Sequence, residues 1–221
     1  MLRPSCAFPF LFLSTVVLVA AQSTSGLVGS IDDRTYISPR GDYRIHIPVL
    51  PELGGTVSDT PTVVVFRDDY NVHVSVGAFP QDATQRWELS TQGLKEYLPF
   101  FFGSFVMPDF RQMFPGSRVE SAVFQPNRLG GALLCFTLMP GGSMFVPEVG
   151  DMGVESAVPV AKRGNLVFIQ HHVVYVVSVE LTERTLEGSM YKLTTAQEDE
   201  ILRSRLDSIV SGMQFFKVEG D

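Results

Sequence analysis

Alternation of apolar and polar residues predicts most of the strands in this chain. Every second residue of the segment 43–47 is apolar, which is typical of a half-buried strand, and Pro48 closes it. Similar β-rich runs follow, and turn-forming residues such as those at 68–71 separate them into antiparallel pairs. The further predicted strands are residues 62–67, 72–79, 117–124, 132–139, 165–170 and 173–181.

A period of three to four residues replaces this alternation between residues 84 and 105 and predicts a helix there. Gly93 and Pro99 are expected to split or kink the helix. Phenylalanines are concentrated in and after its second half, and we expect them to cover a sheet, with a ligand-binding wall as the alternative. They are Phe100, Phe101, Phe102, Phe105, Phe110 and Phe114.

The clearest helical pattern lies near the C-terminus. Thr195 and Glu198 fit a capping box, and an apolar stripe at helical spacing follows from Ile201 to Met213. The pattern therefore predicts a helix over residues 196–212.

Together these elements predict an α+β fold with one antiparallel sheet flanked by helices. Residues 36–216 are expected to form this single domain, because the sequence contains no repeat and no second core pattern. Residues 22–35 are rich in Ser, Thr, Gly and Asp and predict a flexible tether. Residues 217–221 are expected to be a C-terminal tail.

Residues 1–21 have the three parts of a secretory signal peptide. A positive charge at Arg3 precedes an apolar run that ends in small residues, which predicts cleavage after Ala21. The alternative is an uncleaved membrane anchor, but the run contains Pro9 and is shorter than the roughly 20 residues that span a bilayer. We therefore expect a secreted or periplasmic protein.

The net charge of −7 makes nucleic acids and anionic membrane surfaces poor partners. Cleavage after Ala21 would leave Cys135 without a second cysteine and so exclude an intramolecular disulfide. The apolar neighbours of Cys135 predict a buried structural thiol rather than a reactive one.

The first hairpin resembles a known family. Residues 62–68 and 71–76 are similar to the "VVFxD…NVxV" pairing of PsbP, the extrinsic protein of photosystem II. Residues 41–48 are similar to its opening "GYxxxxP" strand, and residues 206–211 resemble its closing helix. The resemblance implies an α/β/α sandwich around an antiparallel sheet, as in DcrB-type bacterial envelope proteins and a eukaryotic nuclear-transport factor. Because those proteins share so little function, the resemblance implies no functional residues.

Motifs for catalysis or cofactor binding are missing from the sequence. It has no Gly-x-Ser-x-Gly elbow, no phosphate-binding loop and no CxxC pair, so we expect a non-catalytic protein without a cofactor. His46 and His73 lie on the polar faces of their predicted strands, so they could lie near each other if those strands pair, and Asp68 or Asp69 could supply a carboxylate. Zinc needs three or four ligands in fixed geometry, so solvated histidines and no metal are the favoured interpretation.

The predicted function is that of an exported, non-catalytic protein that binds an envelope protein partner or supports a membrane-associated complex. The loop 140–153 is the candidate contact surface, because apolar residues in a long loop either pack on their own domain or bind a partner. Its apolar residues are Met144, Phe145, Val146, Val149 and Met152.

Two alternatives belong to other functional classes. A small-ligand carrier would use the space between the sheet and the phenylalanine-rich helix, and this alternative predicts a deep apolar pocket. A hydrolase with a dispersed site predicts a histidine beside a serine or a carboxylate in a cleft.

Overall fold

The computed structural model describes residues 26–145, 159–187 and 190–218. These residues form two antiparallel sheets and several helices, as the alternating and helical patterns of the sequence predict. The strands are β1 (Ser30–Asp32), β2 (Thr35–Ile37), β3 (Tyr43–His46), β4 (Thr56–Asp59), β5 (Val63–Arg67), β6 (His73–Pro80), β7 (Arg118–Gln125), β8 (Ala132–Pro140), β9 (Val160–Gln170), β10 (Val173–Glu180) and β11 (Met213–Phe215). The α-helices are α1 (Ala83–Gln92), α2 (Leu94–Phe101), α3 (Met107–Met113), α4 (Glu183–Leu186) and α5 (Thr195–Ser211). A 3-10 turn (Pro51–Leu53) and a π-helical segment (Phe102–Val106) complete the set of described elements.

The larger sheet has seven strands in the order β4-β5-β6-β10-β9-β8-β7. Each neighbouring pair is antiparallel, so the three predicted strand pairs are confirmed as hairpins. Strand β10 lies at the centre, and all eight of its residues are buried. A strand covered on both faces carries an almost continuous apolar run, and Val173–Glu180 has this character.

One face of the large sheet packs against the smaller sheet, which has the order β1-β2-β3-β11, and against α5. Alternate residues of the central strands point into this layer, and aromatic rings such as Tyr43, Phe168 and Tyr175 fill it. The apolar stripe of α5 packs here through Leu202 and Leu206, as the helical spacing predicts. Gly164 lets the helix approach, since an added Cβ would lie 3.0 Å from the Cβ of Leu202.

A buried lysine also ties α5 to the sheet. The ammonium of Lys162 on β9 lies 3.0 Å from Glu198 and 2.6 Å from Asp199, both on α5, and 2.5 Å from Glu120 on β7. Burial lowers the pKa of Lys162, but the three carboxylates outweigh that effect and raise it above its ordinary value. The charge is therefore kept, and it joins the helix to two strands.

The opposite face of the large sheet is covered by α2, the π-helical segment and α3. The helix predicted over residues 84–105 ends at Gly93, which adopts a positive φ of 77° and begins a new helix. Phe101 and Phe102 are buried against Leu133 and Val167 of the sheet, so the sheet-covering role is confirmed for these two. Of the other four phenylalanines, Phe100 and Phe105 are exposed, and Phe110 and Phe114 are only partly buried.

The α+β fold with an antiparallel sheet flanked by helices is thus confirmed. One expectation is corrected: β1 lies inside the predicted tether, residues 22–35, because Ser30–Asp32 pair with β2. The carboxylate of Asp59 holds this region by accepting hydrogen bonds from the backbone of Val28 and Gly29.

No helix in the described ranges is long and apolar enough to cross a membrane.

The capping box of the last helix lies one residue earlier than the sequence predicts. The side chain of Thr194 accepts a hydrogen bond from the backbone N–H of Gln197, and the Gln197 side chain bonds the Thr194 backbone in return. The helix therefore begins at Thr195, and the predicted pair of Thr195 and Glu198 is wrong. Glu198 instead points into the buried cluster around Lys162.

We predict that Thr194→Ala lowers the free energy of unfolding by about 1 kcal/mol, because it removes the cap. Thr195→Ala is the matched control, and it should change stability by less than about 0.5 kcal/mol at this exposed position. Urea unfolding followed by circular dichroism measures both values. Equal effects of the two substitutions would contradict the assigned cap.

Candidate ligand-binding groove

A groove with a volume of about 400 Å³ lies between the large sheet and α3. Its floor is formed by β5, β6 and β10, and its wall by the π-helical segment and α3. The floor includes Val65, Ser75, Gly77, Val176 and Ser178, and the wall includes Phe105, Val106, Phe110, Met113 and Phe114. Most of this lining is apolar, and polar side chains are concentrated at one end.

The groove exists because the helices cover only part of the sheet. Helix α2 packs on β8, whereas the half of the sheet formed by β5 and β6 contributes small or short side chains. A side chain at position 77 would displace the ring of Phe79, since a Cβ there would lie 2.6 Å from that ring. The groove lies between the sheet and the phenylalanine-rich helices, where the ligand-carrier alternative places its ligand.

The polar end of the groove is built around Glu180, the last residue of β10. Its carboxylate accepts hydrogen bonds from His73 Nδ1 at 2.9 Å and from Ser143 Oγ at 2.6 Å. The backbone N–H of Met144 lies 3.3 Å from both carboxylate oxygens, and Arg163 Nη2 lies 3.7 Å from Oε2. One carboxylate thus joins β6, β9 and the segment after β8.

Electrostatics favour an ionised Glu180 beside a neutral His73. Burial opposes the charge on Glu180, but the bonds from His73 and Ser143 and the charge of Arg163 outweigh it, so the pKa of the carboxyl is lowered. Burial also lowers the pKa of His73, and the cations Arg163 and Arg67 add to that effect, while Glu180 opposes it. His73 therefore donates its Nδ1–H to Glu180 as a neutral imidazole.

Arg163 lines the groove and is buried, with 6 % of its surface exposed. Its Nη2 donates to the carbonyl of Gly142 at 3.1 Å, and its guanidinium lies 5.9 Å from the ring centre of Phe110. The Nε atom is buried without a hydrogen-bond partner among the described residues. A buried donor without a partner is rare in proteins, and it suggests a group that a ligand completes.

A second row of polar residues lies next to Glu180 on the same face of the sheet. Ser178 pairs with Ser75 in register and donates its hydroxyl to Asn165 Oδ1 at 2.7 Å. The Nδ2 of Asn165 then lies 3.2 Å from Thr137 Oγ1. Ser75, the register partner of Ser178, also lines the groove.

The structure corrects the predicted arrangement of the histidines. His46 is on β3 of the small sheet and is exposed, whereas His73 is on β6 of the large sheet and is buried rather than solvated. Strand β3 pairs with β2 and β11, so the two histidines are not brought together by strand pairing. In the part of the chain that the structure describes, no group of three or more His, Cys, Asp or Glu side chains could hold a metal ion.

Asp68 has a structural role that explains the first hairpin. It is buried, and its Oδ1 accepts hydrogen bonds from the backbone N–H groups of Tyr70, Asn71 and Val72 at 2.8–3.0 Å. The carboxylate thereby closes the turn between β5 and β6, which is typical of Asp in turns. The predicted turn is confirmed, but this aspartate is not solvated.

Cys135 lies on β8 under the helices and is fully buried, as the sequence predicts. Burial raises the pKa of its thiol, which keeps the sulfur protonated and unreactive at neutral pH. The histidine beside a carboxylate that the hydrolase alternative predicts is present as His73 and Glu180. Among the described residues, however, no serine or cysteine side chain is hydrogen-bonded to His73.

The predicted contact loop is described only in part. Met144 is half-buried and lines the groove, whereas Phe145 is buried and its ring lies 5.6 Å from the guanidinium carbon of Arg67. Phe145 therefore packs on its own domain rather than presenting a contact surface. The other three predicted contact residues, Val146, Val149 and Met152, lie outside the described residues.

Sequence reasoning missed Arg163 and Glu180. Both are charged residues inside strands whose neighbours are mostly apolar, and all eight residues of β10 are buried. A charged residue in a strand buried on both faces must be paired with another group. A charge within such an apolar strand could therefore have marked Arg163 and Glu180 as candidate site residues. The partners themselves are distant in sequence, since His73 and Glu180 are 107 residues apart.

Comparison with known proteins shows similarity at the level of fold. No protein-family model and no curated protein matches the sequence. The Ran-binding protein Mog1p of Saccharomyces cerevisiae is 12 % identical with a TM-score of 0.48, over 85 % of this chain and 97 % of that one. PsbP of the cyanobacterium Synechocystis sp. PCC 6803 is 15 % identical with a TM-score of 0.49, over 86 % and 99 %. The predicted distant resemblance to the PsbP-like fold is confirmed, but such low identities carry no function to this chain.

We predict that the domain loses stability on acidification below the ordinary histidine pKa of about 6.5. The folded His73 resists protonation, so the unfolded chain binds more protons there and stability falls as pH falls, by at most about 1.4 kcal/mol per pH unit. Urea unfolding between about pH 7 and pH 5.5 measures this slope.

The slope should be smaller in His73→Gln than in the unsubstituted protein. His46→Gln is the matched control, because His46 is exposed on the other sheet, and it should keep the full slope. An unchanged slope in His73→Gln would show that another group causes the acid sensitivity.

Proposed function

We propose that this chain is an exported, non-catalytic binding protein that holds a small, mainly apolar ligand in the groove. The observation that carries the proposal is the cavity of about 400 Å³ between the apolar wall of α3 and the floor of β5, β6 and β10. Binding sites for small molecules have volumes of about 300–1,000 Å³ and are mostly apolar with a few placed polar groups. The groove has both properties.

The lining explains why a ligand would bind. Phe110, Phe114 and Val65 are only partly buried and face the groove, so a ligand would remove their apolar surface from water. The large sheet and the buried Phe101 and Phe102 hold the floor and wall in place. A preformed site of this kind loses little conformational entropy on binding.

Non-catalytic binding is favoured over hydrolysis by the contacts of His73. A histidine that acts as a general base must reach the proton of a nucleophile or of a water molecule beside the substrate. Among the described residues, however, His73 Nδ1 is bonded to Glu180 and no serine or cysteine side chain is hydrogen-bonded to His73. Export is supported by the signal-peptide pattern of residues 1–21.

The proposal predicts that a neutral apolar dye, N-phenyl-1-naphthylamine, binds the protein with increased fluorescence. Val65→Phe should weaken this binding by about tenfold or more, because the larger side chain fills the groove from its floor. Val123→Phe is the matched control, since Val123 is 58 % exposed on the edge strand β7 and does not line the groove. Dye titration of all three proteins, each first checked for cooperative unfolding, tests the prediction.

Two results would contradict the proposed function. One is the absence of dye binding by the folded protein, and the other is an equal loss of binding in Val65→Phe and Val123→Phe.

A protein partner is the second candidate, and exposed apolar residues at the groove rim favour it. Phe105 is 47 % exposed, Met113 is 59 % exposed, and the ring of Phe100 contacts that of Phe105 with centres 6.2 Å apart. Grouped apolar residues at a surface are typical of contact sites. Here the partner would cover the groove from the side of α3.

We expect a stoichiometric partner to co-purify with the tagged full-length protein and to be lost with Phe105→Ser. Lys95→Ser, a substitution of an exposed residue on α2, is the control and should retain it. Quantitative mass spectrometry of the eluates measures both. Retention of the same partner by Phe105→Ser would exclude the groove rim as its contact.

A further inference from the structure

We propose that the ligand of the groove is a monocarboxylate with an apolar chain, whose carboxylate binds Arg163 while the chain lies along α3. This inference rests on the proposed function, because it assigns a chemical class to the ligand of the same groove. It follows from the charge, the unused donors and the position of the groove's polar end.

A row of four side chains crosses the sheet at this end. Arg67 pairs in register with His73, Glu180 pairs with Arg163, and His73 bonds Glu180. Arg67 is exposed and lies outside the described groove lining, so Arg163 is the cation of this row that reaches the groove. The donors that Arg163 leaves unused favour an anionic ligand.

Glu180 does not use the full hydrogen-bonding capacity of Arg163. Its oxygens accept from His73, Ser143 and the Met144 backbone at 2.6–3.3 Å, whereas Arg163 remains 3.7 Å away. A guanidinium has five N–H donors, and among the described residues Arg163 makes one short hydrogen bond, to the carbonyl of Gly142. Within this part of the chain the Nε has no hydrogen-bond partner, and it and the other unused donors can pair with a second carboxylate.

The shape of the Arg163 guanidinium also suits a carboxylate ligand. A planar guanidinium matches a planar carboxylate in a two-bond arrangement that an ammonium cannot reproduce. Ser75 also lines the groove, in the neighbouring row of the floor and two strands away from Arg163. Asp109 is the acidic residue in the described groove lining, and it is exposed on α3, where water screens its charge.

The apolar chain of the ligand would then contact the remaining lining. Phe110 lies 5.9 Å from the Arg163 guanidinium, so the apolar wall begins directly beside the head-group position. The wall continues through Phe114 and Met113, and Val65 and Val176 face it from the sheet. An acid with a medium-length alkyl chain presents its charge and its apolar surface in this order.

The test compares decanoate with 1-decanol, which has the same chain without a charge, by isothermal titration calorimetry with the full-length protein. We expect decanoate to bind about tenfold or more tightly than 1-decanol. Arg163→Gln should weaken decanoate binding to about the level of 1-decanol, and Arg163→Lys should keep part of the preference. Arg44→Gln is the control, because Arg44 is exposed on the small sheet, and it should keep the preference.

Arg163→Gln leaves Glu180 with less compensation and could unfold the domain. The double variant R163Q/E180Q removes both charges, and it should bind 1-decanol but show no preference for decanoate. If 1-decanol and the apolar dye bind at least as tightly as decanoate, or if the preference survives in the double variant, this inference is overturned and the proposed function stands. If decanoate, 1-decanol and the dye all fail to bind, both are overturned.

Discussion

The groove depends on the hydrogen bonds and the ion pair that the buried carboxylate of Glu180 makes. A charge on a strand covered on both faces is strongly unfavourable unless other groups bond to it, and removing one partner of such a pair costs about 3–5 kcal/mol. His73, Ser143, the Met144 backbone and Arg163 all meet this requirement, and they come from three separate parts of the chain. The need to satisfy one carboxylate therefore fixes β6, β9 and the segment after β8 around one end of the groove.

Apolar packing then determines the remaining shape. Phenylalanines of α2 and the π-helical segment are buried against β8 and β9. The chain then continues into α3, which leaves part of β5 and β6 uncovered. The uncovered floor leaves space above the sheet because Ser75 has a small side chain and Gly77 has none. A polar end held by Glu180 and an apolar wall held by Phe101 and Phe102 thus produce a site with two chemical characters. That division is the basis for proposing a ligand with an acidic head and an apolar chain.

Local patterns of the sequence predicted the fold better than the site. Alternation identified the hairpins β5–β6 and β7–β8, which lie on either side of β9 and β10, because side chains of period two record which face of a strand is buried. The cap at Thr194 was misplaced by one residue, since Thr194 and Thr195 offer the same side chain. The groove could not be predicted, because His73 and Glu180 meet only through the pairing of β6 with β10. Patterns within a strand do not contain that information.

The most direct test of the central claim is to locate a bound apolar ligand by NMR. With valine and methionine methyl groups labelled, intermolecular nuclear Overhauser effects to bound N-phenyl-1-naphthylamine identify the residues within a few ångströms of it. The groove predicts contacts to Val65, Val176 and Met113, which lie on opposite sides of the cavity. Contacts confined to Val123 or Met190, which are exposed away from the groove, would contradict the claim.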